Sequence, residues 1–281
     1  MPSTQDIRRR IKSVKSIGQI TKAMKMVAAA RLRRAQERAN ASQPYTEKIK
    51  EILTSVANRV SDKVHPLLEV RKVNRRGYLI LSADKGLAGA YFSNVIKEVL
   101  PRIQCKENVG LVTVGRKARD YFKRRLYNVD SEYTGFSEKP TYQHAVILAR
   151  VLVEGYCTGK YDEIYLSYTQ FYSPIHQKPV TIKLLPVEET IKAGAVQEYI
   201  FEPSGEEVLN LLLPKYLETV IYGALLQAAA SELGARMTAM SSATDNAEEL
   251  IAKLILNYNK VRQAAITREI SEIVGGAEAL K

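Results

Sequence analysis

Between Gly205 and Gly275 the chain runs for roughly seventy residues with one proline, Pro214, and two internal glycines, Gly223 and Gly234. Good helix formers fill the rest, as in VLNLLLPKYLETVIYGALLQAAASELGARMTAM and ELIAKLILNYNKVRQAAITREISEIV. At 1.5 Å per residue such a helix is roughly 100 Å long. A compact globule of 281 residues has a radius of gyration of only about 19 Å. The helix cannot be contained in one, so the sequence predicts that it projects.

The N-terminal end has the same character. Apolar residues fall at Ile7, Ile11, Val14, Ile17, Ile20, Met24 and Val27, then at Ala28, Leu32, Ala35 and Ala39. Steps of three and four define a helix with a narrow apolar seam. Pro44 is expected to kink it, Ile49, Leu53, Val56 and Val60 resume the spacing, and the helix is expected to run to about Asn58. The mid-regions of both helices are rich in small residues, MVAAARL on one and AAASELGARMTAMSSATDNA on the other. Small side chains let backbones approach but bury little area. An isolated antiparallel pair with this seam would be marginal and calls for an outer sleeve.

Between these ends the texture changes. GYLILSA (77–83), VGLVTV (109–114), EIYLSYTQFYS (163–173) and VTIKLLPV (180–187) read as strands. Helices are expected at 93–100, 116–125 and 141–155, and loops at 128–140 and 188–197. Alternating strands and helices predict a Rossmann-like α/β layer with a mostly parallel sheet. The expected organisation is a long N-terminal coiled-coil helix (1–60), a central α/β domain (75–203) and a C-terminal coiled-coil helix (205–281), the two helices pairing antiparallel.

Charge is concentrated. Residues 1–39 carry eleven Lys and Arg against two acidic residues, whereas 205–281 carry seven against ten. A field like this points to an acidic partner surface or to nucleic acid, and a solvated basic face is the plainer reading for most of the charges. A basic region joined to a coiled coil is also the plan of DNA-binding zippers. Here, however, the cations share their helix with the apolar seam and no aromatic residues interleave them. Two distant cysteines, Cys105 and Cys157, suggest a reducing compartment without a disulfide framework. MPSTQDIRRRIKS lacks the apolar run of a secretory signal, and no stretch reaches the ~18 apolar residues of a membrane span.

Signs of catalysis are sparse. The turn DKGLAGAY follows a strand and precedes a helix, where a dinucleotide fingerprint would sit. With only Gly86 and Gly89 it satisfies neither GxGxxG nor GxxxxGK[ST], and a tight strand–helix connection is the simpler reading. His65, His144 and His176 are scattered, so no metal site is expected, and there is no G-x-S-x-G elbow. A nucleotide-binding α/β enzyme and a nucleic-acid-binding coiled coil remain as alternatives.

Three stretches together resemble the gamma subunit of F-type ATP synthases, in its bacterial form. They are IRRRIKSVKSIGQITKAMKMVAAARLRRAQ at the start, SADKGLAGAYFSNV after the first strand, and ARMTAMSSATDNAEELI followed by ITREISEIVGGAEAL at the end. The last carries the family pattern at Ile266, Thr267, Glu269, Glu272, Gly276 and Ala277.

The resemblance implies a central rotor shaft. The paired helices would stand inside a hexamer of alpha and beta subunits, with the α/β domain meeting the epsilon subunit and the c-subunit ring. It implies a non-catalytic chain without cofactor, peripheral on the cytoplasmic side of the cell membrane as part of the complex. Residue by residue it places Met24 and Lys25 against a beta subunit and Arg236 in the ARM segment that pairs with a beta loop. The turn Asp84–Ala90 would face an acidic segment of beta through Lys85. Thr267, Arg268 and Glu269 belong to the C-terminal hexamer contact, and Tyr199 and Glu202 to the contact with the c ring or epsilon. Ala88 stands where many members carry cysteine, and the paired cysteines of the light-regulated insert are absent, so no thiol chemistry is expected.

Overall fold

In the computed structural model the described residues are 3–59, 65–103, 105–187, 202 and 204–278. In chain order the elements are α1 (Thr4–Arg59), β1 (Arg76–Leu81), α2 (Tyr91–Val99), β2 (Val109–Val114), α3 (Arg116–Arg124), β3 (Val129–Tyr133), α4 (Tyr142–Cys157), β4 (Glu163–Phe171), β5 (Gln177–Leu185) and α5 (Gly205–Glu278). The chain divides into two compact units, one made of Met1–Val27 and Met237–Lys281 and one of Ala28–Arg236.

Both long helices start at serine caps. Ser3 Oγ accepts the Asp6 amide at 3.2 Å and donates to the Asp6 carboxylate at 2.8 Å, a reciprocal cap. Those bonds from Ser3 hold the Asp6 carboxyl below its ordinary range. Ser204 Oγ accepts the Glu207 amide at 3.2 Å ahead of α5. Pro44 lies inside α1, which continues past it to Arg59. Ser42 donates its hydroxyl to the Ala39 carbonyl at 2.9 Å and Thr46 donates to the Ser42 carbonyl at 3.1 Å, so side chains serve backbone acceptors around the proline.

The smaller unit is an antiparallel helix pair. Arg8 donates to the Tyr258 hydroxyl at 3.0 Å, Thr21 and Thr244 share a 2.8 Å hydroxyl bond, and Lys25 donates to Ser241 at 2.9 Å. As one residue number climbs its partner's falls, which fixes the antiparallel sense. A Cβ on Gly18 would lie 3.5 Å from that of Ala247, so the backbones approach closely there. The buried seam departs from the expected one. Ile7 and Thr21 are buried and Ile11, Val14 and Gly18 half-buried, whereas Ile17 and Ile20 are 50% and 58% exposed and Val27 is also exposed. Contact at 7, 11, 14, 18 and 21 follows the 3.5-residue repeat of a coiled coil, which selects a glycine and a threonine over neighbouring isoleucines.

The larger unit is built on a five-stranded sheet of order β3-β2-β1-β4-β5. β1, β2, β3 and β4 run parallel and β5 pairs antiparallel with β4. β1 and β2 are buried along almost their whole length, as sequences covered on both faces should be. On one face Leu79, Leu81, Val112 and Leu166 pack with Leu148 and Leu152 of α4 and Leu213, Leu217 and Ile221 of α5. On the other, Tyr78, Ile80 and Leu111 pack with Val95 and Val99 of α2 and Phe122 of α3. Each large aliphatic or aromatic side chain so buried contributes about 1.5–3 kcal/mol.

β3 falls where a loop was expected. Its sequence, VDSEY, is an edge strand with no fully buried residue, so it lacks the apolar signature of the other strands. The loop expected at 188–197 lies outside the described residues.

At the opposite edge of the sheet from its C-terminal loops, three glycines make room for one ring. A Cβ on Gly77, Gly110 or Gly155 would come within 3.0, 2.5 or 2.8 Å of Tyr161. Tyr161 donates to Asp130 at 2.6 Å, and burial with that acceptor pushes its hydroxyl pKa up. Gly110→Ala is expected to cost roughly 2–3 kcal/mol, in line with overpacking of a tight core. Urea unfolding checks it, with Gly223→Ala, whose Cβ meets nothing within 4 Å, as the control.

Candidate partner-contact site

The carboxyl edge of the sheet is organised by one carboxylate. Asp84, just after β1, accepts the amides of Arg116 at 3.1 Å, Gly135 at 2.8 Å and Ser137 at 3.2 Å. Its own amide donates to Ser137 Oγ at 3.1 Å. The turns after β1, β2 and β3 are thereby tied to a single side chain. Gly115 has φ +96°, and a Cβ there would sit 2.5 Å from the Ser82 carbonyl, so glycine is required where β2 turns into α3.

Beside this hub lies a buried ionic cluster. Arg236 of α5 is 6% exposed and Glu232, one helical turn earlier, is 1% exposed. Arg236 donates to Glu232 at 2.6 Å, to Glu138 at 3.1 Å and to the Gly86 carbonyl at 3.4 Å. Glu138 also takes Arg31 of α1 at 2.5 Å and Lys85 at 3.1 Å. Burial holds the Glu232 carboxyl above its ordinary range, while Arg236 pulls it down. Tyr91, whose hydroxyl donates to the Ala228 carbonyl at 3.3 Å, is pushed up by burial and by the nearby Glu232 charge.

Of the residues singled out from sequence, Lys85 and Arg236 are brought together on Glu138. Lys85 keeps a side chain 59% exposed, so it can reach an outside carboxylate. Arg236 is spent on its own chain: its guanidinium fork recognises carboxylates, but those of Glu232 and Glu138. Met24 is half-buried and Lys25 exposed in the helix pair. Thr267, Arg268 and Glu269 are exposed near the end of α5, with Arg268 paired to Glu272 at 3.0 Å. Glu202 is exposed, and Tyr199 lies outside the described residues. Glu138 and Glu232 were not anticipated. The i,i+4 spacing of Glu232 and Arg236 was available as a signal; Glu138 sits in an irregular segment whose position only the tertiary fold supplies.

Two outcomes follow from this geometry. Asp84→Ala should cost about 2–4 kcal/mol, because three backbone amides, that of Ser137 buried, lose their acceptor together; thermal unfolding of the chain measures it. Arg236→Ala should cost roughly 3–5 kcal/mol at pH values where Glu232 stays ionised, by leaving that carboxylate buried without its cation. Without Arg236 the Glu232 pKa moves further up, so the loss is full above that pKa and shrinks as pH falls through it. Glu232→Gln combined with Arg236→Ala should flatten that pH dependence in denaturant titrations.

Comparison with known proteins agrees with this architecture over its full length. The sequence model of the family described as ATP synthase matches residues 3–280. The chain is 51% identical to an ATP synthase gamma chain of Desulforamulus reducens and 50% identical to that of Heliobacterium modesticaldum, in both cases across 100% of each chain. Among solved structures, the central stalk and c-ring assembly of the Tetrahymena thermophila mitochondrial ATP synthase includes a chain with TM-score 0.62 and 25% identity, covering 80% of this chain and 99% of that one. The rotor of the Euglena gracilis enzyme includes one with TM-score 0.68 and 20% identity, covering 94% and 98%. With a family model matched along nearly the whole chain and relatives half identical from end to end, the chain belongs to the ATP synthase gamma-chain family.

Proposed function

We propose that this chain is the central shaft of a rotary F-type ATP synthase, transmitting torque between a membrane ion-driven ring and the nucleotide sites of the beta subunits. The observation that carries the reading is the surface of the smaller unit. Ile17, Ile20, Met26 and Val27 on α1, and Leu256, Ile270, Ile273 and Val274 on α5, are all exposed. Apolar residues in such number on a helix pair mark a surface that works inside a partner. The alpha–beta hexamer is that partner in this reading, with Met24, Lys25, Thr267, Arg268 and Glu269 among the contacts.

In the larger unit, Lys85 is the group that meets an acidic segment of beta, since it needs only to exchange Glu138 for another carboxylate. Arg236 acts from within, by holding the Asp84–Ala90 turn against α5 through the Gly86 carbonyl. Tyr199 and Glu202 are proposed to face the c ring or the epsilon subunit. The chain itself is non-catalytic: it biases each beta subunit among conformations of different nucleotide affinity by differential contact. Ions crossing the membrane supply ~2.3 kcal/mol per elementary charge per 100 mV. No helix among the described residues is long and apolar enough to cross a membrane. In this reading the chain is held at the cytoplasmic face of the membrane by the complex.

Ile17, Ile20 and Val27 together changed to Ser should leave the free chain's stability within about 0.5 kcal/mol per site, as for exposed positions generally. The same variant should co-purify poorly with co-expressed alpha and beta subunits and lower their coupled turnover. Undiminished assembly and turnover would remove the apolar surface from the mechanism, and recovery of the wild-type chain with nucleic acid instead of alpha and beta would favour a different partner class.

A further inference from the structure

A cavity of about 390 Å³ opens between the β1–α2 turn and α3, within the 300–1,000 Å³ range of small-molecule sites. Four cations line it: Lys85 from the turn, and Lys117, Arg124 and Arg125 from α3 and its end. Among the described residues Asp120 is the only acid on its wall, and Arg119 donates to that carboxylate at 2.9 Å. Lys85 is shared with Glu138 and Arg125 lies 3.7 Å over the Tyr121 ring, whereas Lys117 and Arg124 are exposed and form no ion pair among the described residues.

The turn adds donors of its own. Leu87 and Gly89 have φ +62° and +53° and Ala90 has φ −85°, so the backbone changes hand along the cavity wall. The amides from Gly86 to Ala90 donate to no other group of the chain among the described residues. Backbone amides arranged in this way form concave anion sites. Phe92, Tyr121 and Ala88 make the remaining wall apolar. The site lies outside the carboxyl ends of parallel strands, where open α/β sheets take their ligands.

We propose that this cavity binds a nucleoside polyphosphate, its phosphates on Lys117, Arg124 and the turn amides and its nucleoside against the Phe92–Tyr121 wall. Two features favour a compact polyanion with a ring attached over an acidic peptide: the unpaired backbone donors and the apolar wall. The assignment is one of binding, and it stands independently of the rotor reading.

Calorimetric titration of the full chain with ATP, ADP and inorganic tripolyphosphate tests it. ATP should bind saturably, weaken with added salt, and exceed tripolyphosphate in affinity by about tenfold or more, a difference of ~1.4 kcal/mol. Lys117→Ala with Arg124→Ala, both exposed, should leave the unfolding transition in place and reduce ATP affinity by a further factor of about ten, since two charge-assisted contacts are lost. No saturable binding, equal binding by the variant, or tripolyphosphate binding as tightly as ATP would each overturn the proposal. So would an oligo-glutamate peptide that binds at these cations more tightly than ATP.

Discussion

The larger unit depends on one buried guanidinium. Arg236 joins α5 to the segment after β3 through Glu138 and to the turn after β1 through the Gly86 carbonyl, and Glu138 in turn collects Arg31 from α1 and Lys85 from the turn. Two acids and an arginine cannot share a dry site unless their charges and hydrogen bonds are mutually satisfied. The cluster is therefore a condition on four separate stretches of chain at once. Asp84 applies the same logic without a cation, using three backbone amides where Glu138 uses three side chains. Between them the two carboxylates hold every turn at the carboxyl edge of β1, β2 and β3.

That economy separates two kinds of surface. The sheet domain spends its strong polar groups internally and leaves a few cations exposed around one turn. The helix pair has little to spend: a hydroxyl bond between Thr21 and Thr244, a lysine on a serine, an arginine on a tyrosine, and a close approach at Gly18. Several of its larger apolar side chains, Ile17, Ile20 and Leu256 among them, face outward while Ile7 and Met240 are buried. A helix pair that leaves this many large apolar residues exposed is stabilised in part by what surrounds it, which is the relation expected of a shaft and its sleeve.

Most of the architecture was legible in the residues because it rests on periodicity and punctuation. The scarcity of glycine and proline announced α5, and runs such as VGLVTV announced buried parallel strands. What escaped was whatever depends on the third dimension. Ile17 and Ile20 look like seam residues by hydropathy, yet the supercoil geometry chose Gly18 and Thr21. β3 was hidden because an edge strand half open to solvent has no apolar period to display. Arg236 was singled out through a family likeness; its i,i+4 spacing from Glu232 was there to be read, but only the fold reveals that Glu138 is its other partner. The turn Asp84–Ala90 drew notice for its glycines, while the cations beside it come from a helix some thirty residues on.

One small residue on α5 carries a further consequence. A Cβ at Gly234 would lie 3.1 Å from both Phe171 and Gln177 and 3.4 Å from Pro174, so the tip of the β4–β5 hairpin rests directly on the helix backbone there. The flanking Leu233 and Ala235 cannot take that place. Gly234 is thus a keyway that indexes the azimuth of the helix, and Glu232 and Arg236 on either side inherit their aim from it. Since each residue advances an α-helix by about 100°, a single insertion upstream of Gly234 would act as an angular fault, swinging the charged pair away from Glu138 while adding hardly anything to the helix's length.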